Sequence, residues 1–391
     1  MKFKISRPVF ILGMVSLFTD IASEMLYPIT PIFLTAVLSS SMAVVGIIEG
    51  ISEFIAGLLK GYFGRLSDKV GKRSIFIVIG YGLSALSKPL PGIFQNILTV
   101  FLSRISDRTG KGIRTAPRDA LLGSYSNENS GAVFGFHRGM DTLGAAIGPA
   151  VALILLSYFP NNFQLIFIAA FIPSVIALSL TFLVKDKPFV SKSKDRKNYS
   201  EFWKSAPATY KKLLLLITIF SIVNSSDVFL IIKAKDVSES STLAIFGYIF
   251  YNLIYALSSY PLGGLSDKFG KERILSVGML IFSVVYFGFA ISPGIEFIWM
   301  LFALYGIYAA STEGISKAWV SDLIPDNQRG TAIGLLTMIT SFSSMFGSFV
   351  TGVLWDQFGS FIPFTISSCV SLLLALLLIS GCVNNKEGTK S

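Results

Sequence analysis

Charge is scarce in this sequence. Only 14% of its 391 residues are Asp, Glu, Lys or Arg, while 52% are hydrophobic. A soluble domain carries roughly 25% charged residues. So much apolar surface exceeds what an aqueous core can hold, and the solvent for most of the chain must be lipid. Histidine occurs once, as His137, and cysteine twice, as Cys369 and Cys382. The two cysteines stand thirteen residues apart in one apolar run, about 20 Å along a helix and too far to bridge. No disulfide, zinc site, other metal or cofactor is expected. A glycine-rich phosphate loop is missing, which excludes a nucleotide-driven pump. Without a nucleophile–base pair, the chain reads as no enzyme. The net charge of +10 does not point to nucleic acid, because the bases sit in short gaps and form no continuous basic face with interleaved aromatics.

What the chain does have is apolar runs of roughly 20 residues, the length that crosses a bilayer. They fall near 9–34, 43–62, 74–91, 93–116, 131–158 and 163–184, then near 213–233, 243–263, 274–292, 296–320, 331–355 and 361–382. These predict an all-α membrane protein of twelve transmembrane helices in two sets of six. The opening "MKFKISRPVFILGMVSLFTD" has the look of a secretory leader, but Asp20, Glu24, Pro28 and Pro31 follow without a small-residue cleavage site. It is better read as the first helix. Residues 185–212 are basic and polar, a cytosolic linker in which Tyr199, Phe202 and Trp203 could lie on the membrane surface. Three parts are thus expected: a six-helix bundle over 1–184, the linker over 185–212, and a six-helix bundle with a short tail over 213–391.

Lys and Arg gather on one side of this arrangement. Alternate gaps hold Lys2, Lys4 and Arg7, then Arg65, Lys69, Lys72 and Arg73, then Lys111, Arg114 and Arg118, then the linker. Lys268, Lys271, Arg273, Lys317 and Arg329 continue the series, while the opposite gaps hold only Lys88, Lys233 and Lys235. The positive-inside rule then places both termini in the cytoplasm.

One phrase is written twice. "GRLSDKVGK" at Gly64–Lys72 returns as "GGLSDKFGK" at Gly263–Lys271, with Asp68 and Asp267 199 residues apart. The same shift lays Gly330–Gly334, "GTAIG", over Gly131–Gly135, "GAVFG". A tandem repeat of six helices gives halves of like orientation, related by an axis along the membrane normal. Each phrase is expected to form a tight turn, with glycines at 64 and 71, and at 263 and 270, supplying the freedom it needs. Asp68 is the odd acid among bases such as Arg73. It is placed to meet a helix N-terminus or an arginine from the other half and so to latch one of two conformations, with Asp267 as its counterpart; a merely solvated turn is the plainer alternative.

At this point the chain resembles the major facilitator superfamily, whose loop signature has a glycine four residues before an aspartate, then a base, a glycine and further bases. The resemblance covers essentially the whole chain and implies a gate latch at this phrase rather than a substrate site. That family's antiporter motif can be tested on the fifth run: Gly135, Gly144, Gly148 and Pro149 fall at its spacing, while Ala152 and Leu153 stand where it has a glycine pair. The match leans toward antiport, although Gly144 and Gly148 also make the small-residue face of ordinary helix packing and Pro149 a bend. "DRTGKGIRTAPRDAL" at Asp107–Leu121 and "NSSD" at Asn224–Asp227 resemble a subgroup whose members mostly lack a defined substrate.

Ionisable groups inside a membrane need a partner, a cavity or a function. Asp20 and Glu24 share a face of the first run, and Asp227 ends a polar patch on the seventh. The resemblance implies that the first, fourth, seventh and tenth helices line a central cavity. Glu24 and Asp227 are then the leading proton-coupling candidates, followed by Asp20, with Glu53 and Glu313 secondary; structural neutralisation by arginines is the competing account. On the fourth run Arg104, Arg108, Lys111 and Arg114 lie within one face. Asp107 could neutralise only one of the deeper pair, leaving a positive surplus suited to an anionic cargo. Arg104, Arg108, Asn224 and Tyr27 are the substrate-binding candidates, while His137 reads as wetted or gate-packing. The function expected is secondary active transport of a small organic solute by alternating access, through proton-coupled antiport, which means export. The alternative is a proton-coupled importer of an anionic nutrient or metal chelate such as a carboxylate siderophore. The expected partners are that solute, protons and the bilayer, for a monomer in the cytoplasmic (inner) membrane.

Overall fold

Helices form wherever the sequence offers an apolar run, and they continue past it wherever charges find partners. The computed structural model describes residues 5–40, 42–126, 129–187, 199–239, 241–291, 294–381 and 383. Lys2, Lys4, Cys382 and linker residues 188–198 lie outside them. Among the described residues every element is helical and no strand occurs. The first half contains α1 (Arg7–Thr35), α2 (Met42–Val70), α3 (Ser74–Ile93), α4 (Ile97–Tyr125), α5 (Ser130–Tyr158) and α6 (Phe163–Thr181). A short α7 (Tyr199–Ser205) follows. Then come α8 (Ala208–Ser238), α9 (Ser241–Phe269), α10 (Lys271–Ile291), α11 (Ile295–Leu323), α12 (Asp326–Phe358) and α13 (Phe361–Ile379). Nine of these are long and apolar enough to cross a membrane; α2, α4 and α9, each of 29 residues, fall outside that set.

The chain divides into two compact units that do not follow the midpoint of the sequence. One comprises residues 1–127, 140–194 and 326–338, and the other residues 128–139, 195–325 and 339–391. The first turns of α12 therefore pack with the first half, and the first turns of α5 with the second. Within the first unit α2 and α3 pack on α4, and α1 on α6; within the second, α9 and α10 pack on α11, and α10 on α13. The pairings of α2 and α3 on α4 thus recur as those of α9 and α10 on α11, whereas α1 on α6 and α10 on α13 are not equivalent.

Packing is close where side chains are small. A Cβ on Gly80 would stand 2.6 Å from the carbonyl oxygen of Gly110, and one on Gly110 would meet that of Gly80, so α3 and α4 touch backbone to backbone. In the second unit aromatics fill the space: Phe282 stacks on Tyr286 with centroids 3.9 Å apart, and Phe220 and Tyr308 meet Phe282 edge-on. The outward faces are apolar, as at Leu98, Ile172, Leu257 and Phe349, the pattern of a protein solvated by lipid.

Several expectations change. The repeated phrase is not a loop: α2 runs on to Val70 and α9 to Phe269, and only Gly71 (φ 74°) and Gly270 (φ 97°) take the left-handed turn. Gly64 and Gly263 lie inside helices and serve close approach instead. Arg114 and Arg118, expected in a gap, lie inside α4 and are buried. Arg114 stacks over the Tyr81 ring at 4.3 Å, and Arg118 pairs with Asp119 at 2.9 Å. Lys88, also expected in a gap, is 2% exposed and bonded to Asp107 of α4. In α7, Phe202 packs inward on Tyr210 while Trp203 stays exposed.

The Gly80–Gly110 contact yields a first prediction. Gly110→Val should destabilise the purified protein by about 1–3 kcal/mol through overpacking, read as a lower midpoint of thermal unfolding in detergent. An unchanged midpoint would show that α3 and α4 can part without cost.

Candidate functional site

The first turn of a helix leaves backbone N–H groups without partners and carries the positive end of the helix dipole. In the first unit Asp68 supplies that need for α12. Its carboxylate accepts from Gly330 N (3.1 Å), Thr331 N (2.6 Å) and Thr331 Oγ1 (2.9 Å). Arg73, 1% exposed, donates to Asp68 at 3.1 Å, to Asp326 at 3.0 Å and to Ser124 Oγ at 2.6 Å. The approach depends on glycine. A Cβ on Gly330 would stand 2.6 Å from the carbonyl oxygen of Gly64, and one on Gly64 would strike that of Gly330. Asp186, just after α6, holds this region from the other side, accepting from Arg73 N (2.8 Å), Ser74 N (2.9 Å) and Ser74 Oγ (2.5 Å).

In the second unit Asp267 does the same for α5, accepting from Gly131 N and Ala132 N at 2.8 Å each. Gly263 lies against the Gly131 carbonyl and Gly135 against that of Ser259, with no room for a Cβ at either. The base here is Lys271, 3.1 Å from Asp267 and 2.7 Å from Asp322 of α11. The two caps share a plan but differ in their base, and the arginine on Asp68 comes from its own half, not from the other half as expected. Asp68 is tied to a buried guanidinium that also grips α12, whereas Asp267 is tied to a lysine whose other acid is 40% exposed.

The interior of the first unit is a lattice of ion pairs. Arg104 binds Glu49 through two bonds of 2.8 and 2.5 Å, and Arg108 pairs with Glu53 at 3.1 Å. Asp107, expected to serve one of those arginines, instead takes Lys88 at 2.9 Å, while Lys88 also reaches Ser23 at 3.0 Å. Beside this group lies a cavity of about 10 Å³, the space of a single water, lined by Ser23, Ser87, Lys88, Ser103, Arg104 and Asp107. The positive surplus expected at Arg104 and Arg108 is matched acid for base. The signal was present in the sequence: Glu49 and Glu53 are spaced by four, as are Arg104 and Arg108, so two packed helices can pair them in register.

On α1, Asp20 and Glu24 face α5. A Cβ on Gly144 would stand 2.6 Å from Leu17 O and 3.0 Å from Asp20 Cβ. One on Gly148 would stand 2.7 Å from Ile21 O and 2.9 Å from Glu24 Cβ. The glycine pattern of the fifth run therefore seats the acid-bearing face of α1, with Pro149 inside the helix just beyond it. Ser16 donates to Asp141 at 2.5 Å on the same interface. Tyr27 is exposed at the break in α1 before Pro28.

In the second unit Asp227 accepts from Tyr251 and from Tyr305, the latter at 2.6 Å. Asn224 lies beside it where α8 is interrupted, the first segment ending at Val223 and the second starting at Val228. Glu313 pairs with Arg138, which also donates to Tyr255 at 2.5 Å. His137 is 4% exposed and therefore packed rather than wetted. Tyr251, Tyr305, Asp186 and Asp326 were not among the candidates drawn from the sequence.

Residues 12–250 and 228–388 match the family model described as Major Facilitator Superfamily. An uncharacterised MFS-type transporter of Methanocaldococcus jannaschii is 35% identical over 382 residues, covering 96% of this chain and 95% of that one. Among solved structures, a human organic anion transporter aligns with a TM-score of 0.80 at 15% identity, covering 95% of this chain and 99% of that one. The E. coli fucose:proton symporter aligns at 0.76 and 13% identity, covering 95% and 98%. Both structural likenesses speak to the fold alone.

The unequal caps predict unequal mutants. In a cysteine-free background, single cysteines at Ala332 and Val133, equivalent and buried positions beside the two caps, report opening through maleimide labelling. Asp68→Asn should speed labelling at 332 by about 5–30-fold, as loss of one or two kcal/mol would, while Asp267→Asn should speed labelling at 133 by less. Equal acceleration would mean that the Arg73 bonds add nothing.

Proposed function

We propose that this chain, which belongs to the Major Facilitator Superfamily, exports a small organic solute by proton-coupled antiport. The superfamily membership makes it a multi-pass membrane transporter. The arrangement we propose is twelve spans in a 6+6 repeat, bundles over 1–184 and 213–391 joined by a cytosolic linker, with both termini in the cytoplasm and the protein in the inner membrane. The nine apolar helices and the repeated helix pairings support it. In α2 and α4 the extra charge that weakens the apolar signal is internally paired at Glu49–Arg104 and Glu53–Arg108, which lets a charged helix enter lipid at tolerable cost. Asp68 and Asp267 act as gate latches, each releasing a helix start when the carboxylate lets go.

The observation that carries the antiport reading is the seat of α1 on α5. Gly144 and Gly148 hold the backbone of α1 so close that Asp20 and Glu24 cannot move relative to α5 without the two helices separating. A change in the charge of Glu24 on proton uptake alters what that interface costs, and so biases one arrangement over another. Asp227, held by two phenols, is the matching group in the other unit, with Glu53 and Glu313 as exposed acids that relay or balance charge. Arg104 and Arg108 act as structural partners that also border the cargo path, together with Tyr27 and Asn224. Import of an anionic nutrient or chelate has less support, because the arginines it would use are already matched by carboxylates.

The test is a proteoliposome assay with a pH-sensitive dye inside, an imposed pH gradient and a panel of cationic, anionic and neutral organic solutes. Addition of a transported solute should dissipate the gradient with the wild-type chain. Glu24→Gln should abolish the proton signal while solute still binds. Solute flux with no proton movement would end the coupling claim and leave a uniporter.

A further inference from the structure

Helix α8 is broken where four polar residues follow one another, Asn224, Ser225, Ser226 and Asp227. Short side chains of this kind compete with the helix for its own backbone groups. Asn224 leaves the helical region at ψ 82°, and the chain resumes a helix at Val228. The first segment therefore ends inside the second unit and turns the negative end of its dipole to the break, where Ser344 Oγ donates to the Asn224 carbonyl at 3.3 Å, while the second segment turns its positive end to the same place.

The formal charge carried by the side chains of this break is negative. Asp227 accepts hydrogen bonds from Tyr251 and Tyr305 but stands in no ion pair among the described residues; the nearby guanidinium of Arg138 is taken by Glu313. A carboxylate offers about four lone-pair sites, so two phenols leave acceptor capacity unused. The Oδ1 of Asn224 is buried and has no hydrogen-bond partner, a second acceptor that lacks a donor. Around them stand aromatic rings: Tyr251 and Tyr305 with centroids 5.2 Å apart, Tyr248 at 5.3 Å from Tyr251, and Tyr308 at 5.1 Å from Tyr305. Electron-rich rings favour cations. In the first unit Lys88, Arg104 and Arg108 each hold an acid of their own.

We propose that the break in α8 is the cargo subsite of a transporter for organic cations. Asp227 faces the positive charge, and Asn224 Oδ1 accepts an N–H from the cargo. The proposal rests on the transport reading above and names its substrate class. An anionic cargo would meet the Asp227 carboxylate and the lone Asn224 acceptor, both repulsive. Cargo and proton use the same oxygens of Asp227, so each displaces the other, and cation binding tightens as pH rises. The other titratable and charged groups around Asp227 are Tyr248 and Tyr251 of α9, Tyr286 of α10, Tyr305, Tyr308 and Glu313 of α11, and Arg138 of α5. The Arg138–Glu313 pair is balanced.

The experiment measures binding of three probes to the full chain in detergent by equilibrium dialysis: ethidium, tetraphenylphosphonium and phenethylammonium. At least one should bind, more tightly at mildly alkaline than at mildly acidic pH, with affinity falling about tenfold or more in Asp227→Asn, as loss of some 1.4 kcal/mol requires. Asp227→Glu should keep binding. Asn224→Ala should weaken the two probes that carry N–H groups and spare tetraphenylphosphonium, which has none; this contrast needs no wild-type-like stability of the Asp227 variants. Absence of Asp227-dependent binding for all three probes overturns the proposal, as does equal loss of all three in Asn224→Ala. Cation binding at Asp227 without proton movement in liposomes would remove the coupling and keep the substrate class. Proton movement driven only by neutral or anionic solutes would do the reverse.

Discussion

Lipid offers an ion nothing to bind, so a charge that enters it must bring its partner or find a use. In the first unit the partners are supplied by neighbouring helices in matched spacing, Glu49 and Glu53 against Arg104 and Arg108, and Asp107 against Lys88. The packing of α2 and α3 on α4 follows from this as much as from apolar contact. A guanidinium stripped of its carboxylate in such a place costs about 3–5 kcal/mol, so these helices are committed to one register. Where a carboxylate is left without a base, as at Asp227, the fold spends two tyrosine hydroxyls on it and breaks a helix beside it.

The same constraint explains the unit boundaries. A helix start is a cluster of unsatisfied N–H groups, and in this chain α12 and α5 each find the missing acceptor on a helix far away in sequence, at Asp68 and Asp267. Their first turns consequently belong to the unit that caps them rather than to the half that encodes them. The first cap is the stronger, because Arg73 joins Asp68, Ser124 and Asp326 in one buried knot that Asp186 steadies from behind.

Most of the helices were legible in the sequence, because a run of twenty apolar residues has few alternatives. Their ends were not. The stretches 64–70 and 117–125 lie beyond the apolar runs, yet they continue helices because Arg73, Thr331 and Asp119 answer their charges from positions that no local pattern reveals. The repeated phrase placed its aspartates to meet a helix start, and both cap one. The glycines within it were misassigned: Gly64 and Gly263 provide contact and only Gly71 and Gly270 provide a turn. Asp227 was visible as a lone acid, but its phenol partners were hidden among many tyrosines with the same spacing as the core.

The backbone contacts at Gly64 and Gly263 also have a genetic consequence. Every amino acid reachable from a glycine codon by one base change carries a Cβ, and at both positions that atom has nowhere to go. No single missense change there can be silent, whatever its chemistry. A gene holding two copies of this phrase is therefore free to let the copies drift apart at Arg65 and Val70, but each glycine contact can be rebuilt only by a paired change on the helix it touches.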